Sequence, residues 1–154
     1  MSAEVAKEIM KIKAIDELQA QLQPICKNEK DIKFLKFYLT NYFGFLAAYS
    51  YTEEGAKAIL RQKEVFEMSL FVLDSITPPA IAAKDPEVVS PLTTLMINNL
   101  LFLRNATFNR SCKLHILTDK AFLPCLLAFL QSRQQHPRVR AYTAATLWSV
   151  LYSH

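Results

Sequence analysis

The feature that most restricts this chain is a self-match. Residues 41–75 recur as residues 98–132, an offset of 57 with no gap. Asn41 answers to Asn98, Phe45-Leu46 to Phe102-Leu103, Ile59-Leu60 to Ile116-Leu117 and Lys63 to Lys120. Leu70 answers to Leu127, Leu73 to Leu130 and Ser75 to Ser132. In the second copy, an apolar run with Leu100, Leu101, Leu103 and Phe108 ends at the polar step Asn109-Arg110-Ser111. A short basic segment, a corner at Thr118-Asp119 and a second apolar run over 121–130 follow. Each copy therefore reads as three helices joined by tight corners. A unit of this size cannot bury its apolar faces alone, so successive units stack and share a core.

The rest of the chain fits the same plan. Val5, Ile9, Ile12, Ile15, Leu18 and Leu22 recur at spacings of three and four, which predicts one helix over 2–23 ended by Pro24. Asp31 is the expected N-cap of a long helix reaching Ser50. Its broad apolar face, including Ile32, Leu35, Tyr38, Leu39, Tyr42, Phe43, Phe45 and Leu46, demands cover on most sides. Thr52-Glu53-Glu54 opens a short helix ending near Arg61, with acids where the helix dipole favours them. Residues 63–75 form another, with Val65, Phe66, Leu70, Phe71 and Leu73 inward. The proline-bearing stretch 77–91 reads as an inserted loop, and Ser90 or Pro91 starts the long helix that runs into Phe108. Pro137 opens the last helix, whose inner side carries Val139, Tyr142, Leu147, Val150 and Leu151.

That last helix holds a third copy of the pattern. Leu46, Leu103 and Leu147 share a register, each followed five residues later by an aromatic: Tyr51, Phe108 and Tyr152. The second step, from Leu103 to Leu147, is 44 residues, and the excess in the first matches the inserted loop. A unit of about 44 residues lies in the armadillo/HEAT range, and three short helices per unit favour armadillo. The expected fold is all-α: one armadillo-like helical solenoid over 1–154, about three repeats, with no sheet. The last helix is as apolar as an internal one, so the chain is expected to be a fragment of a longer protein.

Only 2 glycines in 154 residues disfavour a β-sandwich or barrel, which needs glycine turns. The same scarcity excludes a P-loop, a GxGxxG loop or a GxSxG elbow. Cys26, Cys112 and Cys125 are scattered among apolar positions, as small buried residues of a reducing compartment are. His115, His136 and His154 have no partner at metal or triad spacing; His115 reads as a surface residue and His136 as part of a corner. Acid pairs occur only as the neighbours Asp16-Glu17 and Glu53-Glu54, which point to different faces. No enzymatic activity, cofactor, metal or small-molecule substrate is expected. The longest apolar stretch, 95–103, is interrupted by Asn98-Asn99 and too short to span a bilayer, so no membrane partner is expected.

Charge is uneven. Residues 1–77 carry 10 Lys/Arg against 11 Asp/Glu, and residues 78–154 carry 8 against 3. A nucleic-acid surface would show a denser basic stripe with exposed aromatics, so a protein partner is the better expectation. Arg104 and Trp148 fall at the same register, one residue after Leu103 and Leu147. Trp148 as anchor with Arg104, Arg138 and Arg140 as a charged rim could dock an acidic or amphipathic segment. Asn105 falls at the position of the peptide-binding Asn of importin-like armadillo proteins. The ladder is otherwise absent: the Asn positions hold Ala48 and Ser149, and the Trp positions Gly44, Leu101 and Ala145. For Trp148 the competing reading is core, or cover by a following repeat. For Asn105 it is a local hydrogen bond.

The segment 100–132 with PRVRAYTAATLWSVLY resembles the C-terminal armadillo-like region of the rotatin family. The resemblance rests on Leu103-Arg104-Asn105 with Phe108, on Cys112-Lys113 before Ile116-Leu117, and on Ala144-Ala145 with Leu147-Trp148 and Tyr152. It covers about the last 60 residues; the first 90 match only as generic helical repeat. It implies a non-catalytic scaffold of the centriole or basal body, located in the cytoplasm at the centrosome. Such a scaffold would act in centriole assembly and cilium formation by docking another centriolar protein through a helical or extended segment. The alternative is an armadillo-type peptide-binding adaptor in transport or signalling.

Overall fold

The computed structural model describes residues 1–11, 13–76 and 89–152. Among these residues all regular structure is helical: α1 (Ala3–Lys11), α2 (Ala14–Leu22), α3 (Glu29–Phe34), α4 (Lys36–Ser50) and α5 (Glu53–Arg61), then α6 (Lys63–Ser75), α7 (Pro91–Ala106), α8 (Arg110–Thr118), α9 (Phe122–Gln131) and α10 (Pro137–Leu151). The expected loop over 77–91 lies outside the described residues up to 88, and Pro91 already belongs to α7.

Several helix starts follow capping chemistry. Thr52 Oγ1 accepts from Gly55 N, Ser90 Oγ from Thr93 N with Pro91 behind it, and Asn109 Oδ1 from Ser111 N and Cys112 N. His136 caps α10 through Nδ1, which accepts from Arg138 N at 3.2 Å, so the ring proton is assigned to Nε2. The ring is almost wholly buried, a finding the reading of His136 as a simple corner residue did not contain.

The first half departs from expectation at three places. The helix expected over 2–23 is two helices, broken around Lys13, whose backbone is left-handed at φ 51°. No Gly or Pro marks that break. The N-cap expected at Asp31 is instead Asn28, with Asp31 as the reciprocal partner of a capping box: its Oδ2 accepts from Lys27 N at 2.9 Å and Asn28 N at 3.0 Å. The helix then restarts at Lys36, which leaves Phe34 and Phe37 outward at 85% and 64% exposure. The broad aromatic face of α4 is thus covered from Leu39 onward but open at its start.

The three long helices lie side by side, with α7 between α4 and α10. Asn98 Nδ2 donates to Thr40 O at 2.9 Å, and Asn105 Nδ2 to Ala47 O at 2.8 Å, both at a separation of 58 residues. A constant offset over two turns means that α4 and α7 run in the same direction. Gly44 sits between these clasps, and a Cβ there would meet Asn98 Nδ2 at 3.1 Å. On the other side, Thr146 Oγ1 donates to Leu100 O at 3.1 Å, and the hydroxyls of Thr107 and Ser149 pair at 2.5 Å. The pairing residues advance together, so α10 keeps the same sense.

Shorter helices form a layer behind this row. α1 packs on α5, and α5 on α8; α6 packs on α9. Tyr49 Oη donates to Ala6 O, and Gln19 joins α2 to the stack by accepting from Tyr42 Oη at 2.7 Å and donating to Glu64 O at 3.3 Å. The core between the layers is centred on Phe43, Phe66 and Phe102, all fully or almost fully buried, with Phe102 5.6 Å from Phe66 and 6.1 Å from Phe43. Each such ring stabilises the fold by roughly 1.5–3 kcal/mol through removal from water. Ser69 and Asn99 place a closed polar pair beside it, with Ser69 Oγ donating to Asn99 Oδ1 at 2.6 Å and Asn99 Nδ2 to Ser69 O at 2.9 Å.

Candidate protein-interaction surface

The aromatics five residues after Leu46, Leu103 and Leu147 converge at the C-terminal ends of α4, α7 and α10. Tyr51 and Phe108 meet edge to face at 5.8 Å. Phe108 and Tyr152 line one groove of roughly 500 Å³ with Arg110, Lys113, Leu114, Leu117, Val150 and Leu151. Trp148 stacks on Tyr152 at 4.9 Å. The result is a continuous aromatic edge, Tyr51–Phe108–Tyr152–Trp148, flowing into an apolar groove between α8 and the end of α10.

Cations rim this edge. The Arg104 guanidinium lies 6.0 Å from the Phe108 ring centre. Lys113 Nζ donates to the Tyr152 carbonyl. The sequence holds no Asp or Glu over 88–118 or 120–154, so Asp119 is the single acid of this half after Glu87. Beyond Tyr51, Glu53 is committed to Lys57 at 2.6 Å, and that hydrogen bond and charge hold its carboxyl below the ordinary range.

The five residues singled out from the sequence are not all together. Trp148 is 60% exposed, and Arg104 is half-buried and linked to it through Phe108 and Tyr152. Asn105 uses its amide on Ala47 O, within the α4–α7 contact. Arg138 and Arg140 are exposed at the opposite end of α10, about 12–15 Å along the axis from Trp148 at 1.5 Å per residue. Leu114, Leu117, Leu151 and Tyr152 were missed. Leu151, expected on the inner side of the last helix, is 65% exposed. The signal available for Tyr152 was its shared register with Tyr51 and Phe108.

Other chemistry-bearing groups are committed to the fold. His115, expected at the surface, is half-buried against Phe66 with ring centres 4.7 Å apart. Cys112 Sγ donates to Ala56 O, and burial pushes the Cys112 thiol up to about 11. Burial, with Asp74 nearby, does the same for Cys125, to about 11. These thiols are protonated near neutrality and are poor nucleophiles. Among the described residues no group of three His, Cys, Asp or Glu side chains could hold a metal ion, and no single helix is long and apolar enough to cross a membrane.

With the site's geometry in place, comparison with known proteins returns no relative: no protein-family model, curated protein or solved structure matches this chain.

Proposed function

We propose that this chain is a protein-interaction scaffold: an armadillo-like stack from a rotatin-type centriolar or basal-body protein that docks a partner in centriole assembly and cilium formation. The observation that carries the docking reading is Trp148, 60% exposed at the end of an aromatic edge with Arg104, Arg110 and Lys113 beside Phe108 and Tyr152. Exposed aromatics rimmed by arginine are the anchors of protein interfaces. The parallel row α4–α7–α10 with shorter helices behind it supports the solenoid reading, since side-by-side repetition of one helix in one direction is what stacked repeats produce. The residues Leu103-Arg104-Asn105, Leu147-Trp148 and Tyr152 support the rotatin assignment.

The test is location. The chain carrying a fluorescent tag is expected as foci coincident with a centriole marker. A diffuse or nuclear signal from folded protein removes the centriolar assignment. Loss of the foci in the Arg104→Ala/Trp148→Ala variant, with helical content unchanged, ties location to this surface.

A further inference from the structure

We infer that the outer face of α10 is the seat of an acidic amphipathic helix from a partner protein, running parallel to α10. The inference rests on the scaffold reading and specifies its occupant. Its basis is internal: the molecule already shows how one long helix receives the next.

On α4, the residues that meet α7 and its C-terminal extension are Thr40, Gly44, Ala47 and Tyr51. Thr40 and Ala47 offer carbonyls to Asn98 and Asn105, Gly44 lies against Asn98, and Tyr51 meets Phe108. Steps of 57 and then 44 residues carry these positions to Ala141, Ala145, Trp148 and Tyr152. Ala141, Trp148 and Tyr152 are exposed and Ala145 is half-buried. Ala144 and Leu151 widen the strip, both exposed. The side of α10 that faces α7, through Thr146 and Ser149, lies about a third of a turn around the helix from this strip. So the face that α4 covers with α7 is, on α10, an open apolar strip about three turns long. Small residues line its N-terminal half, where a helix can approach closely, and large ones its C-terminal half.

Direction follows from the same comparison. The α4–α7 and α7–α10 contacts are both parallel, and a third helix set down by the same step keeps that sense. Charge selects the partner. Arg138 and Arg140 flank the small-residue end; Arg104, Arg110 and Lys113 flank the other. No carboxylate lies on α10 or α7. A second copy of this face would set cation-rich rims against each other, whereas a helix with glutamates beside its apolar stripe meets complementary charge at both ends.

Trp148 is the only tryptophan of the chain, so its fluorescence reports this face directly. The probe is a synthetic 16-residue helix with leucines at i, i+4, i+7 and i+11 and glutamate flanks. The control carries lysine flanks on the same stripe. The glutamate peptide is expected to shift Trp148 emission to the blue and shield it from acrylamide. The lysine peptide should bind at least about tenfold more weakly, a difference of about 1.4 kcal/mol. Ala144→Glu, on the exposed strip, should abolish the shift without loss of helical content. A dansyl group on the peptide's C-terminus should accept energy from Trp148 more strongly than one on its N-terminus, since Trp148 is near the C-terminal end of α10.

No spectral change with either peptide, equal binding of both, or stronger transfer to the N-terminal dansyl overturns the inference. A blue shift produced by raising the protein concentration alone does so too, and assigns the face to a second copy. Centriolar foci retained by Ala144→Glu separate the two readings: the scaffold stands, and its partner binds elsewhere.

Discussion

Asn98 reaches across the contact between α4 and α7 and donates its side-chain amide to the Thr40 carbonyl at 2.9 Å. The bond exists because Gly44 leaves room: a Cβ there would sit 3.1 Å from the amide nitrogen. Asn98→Ala should cost about 1 kcal/mol, the usual net worth of such a bond. Gly44→Ala gains about 1 kcal/mol of helix propensity but presses on the amide, so its net effect should be near zero. In the Asn98→Ala background the same change should stabilise by about 1 kcal/mol. Urea unfolding of the four proteins checks the cycle; strictly additive energies would show that the residues are not coupled.

Ser69 and Asn99 satisfy one another in full burial. Removing one partner strands the other. Asn99→Ala should destabilise by about 2–3 kcal/mol, because two buried oxygens of Ser69 lose their partner. The Ser69→Ala/Asn99→Ala double variant should lose clearly less than the sum of the single ones, measured by thermal or denaturant unfolding.

Gly55 is required by contact rather than by backbone angle. A Cβ there would fall 2.0 Å from Tyr49 O and 2.8 Å from Thr52 Oγ1, the hydroxyl that caps α5. The obstacle is main chain, which cannot swing aside. Gly55→Ala should therefore open the α4–α5 corner and lower stability by about 2–4 kcal/mol. For a chain of this size that lowers Tm by roughly 5–15 °C. An unchanged Tm would show that the corner yields freely.

Stability should fall on the alkaline side in a defined window. The Cys112 and Cys125 thiols are pushed from an ordinary 9.0 up to about 11 by burial. Their folded-state values are raised, so their contribution is complete below pH 9. It declines between about pH 9 and 11, as the unfolded chain loses thiol protons that the folded chain keeps. Tyr42, raised by burial, extends the decline upward. Replacing both cysteines by alanine should flatten the drop across that window, read as unfolding free energy against pH.

The sequence made the helices legible wherever a cap or proline marked a boundary. Thr52, Ser90-Pro91 and His136-Pro137 open α5, α7 and α10 as read, although α7 ends at Ala106 and not at Phe108; the start of α6 at Lys63 was read without a side-chain cap to mark it. The break at Lys13 was hidden because its apolar stripe keeps helical spacing on both sides. Asp31 misled because both ends of a capping box carry capping-type residues, and spacing alone does not say which is the cap. Of the candidate site, Trp148 and Arg104 were found by register. Arg138 and Arg140 were grouped with them by charge, which ignores the length of a helix. Asn98, Asn99 and Asn105 were opaque for a general reason: periodicity assigns polar residues outward, and these three point between helices.

The two asparagine clasps have a mechanical consequence. Both grip main-chain carbonyls seven residues apart, and sliding α7 along α4 by any fraction of a turn unseats the pair at once. The α4–α7 contact is therefore indexed like teeth on a rack, with both clasps opposing slip together. Under a pull along the row, α4 and α7 should move as one leaf, and any shear should begin at a contact without such clasps.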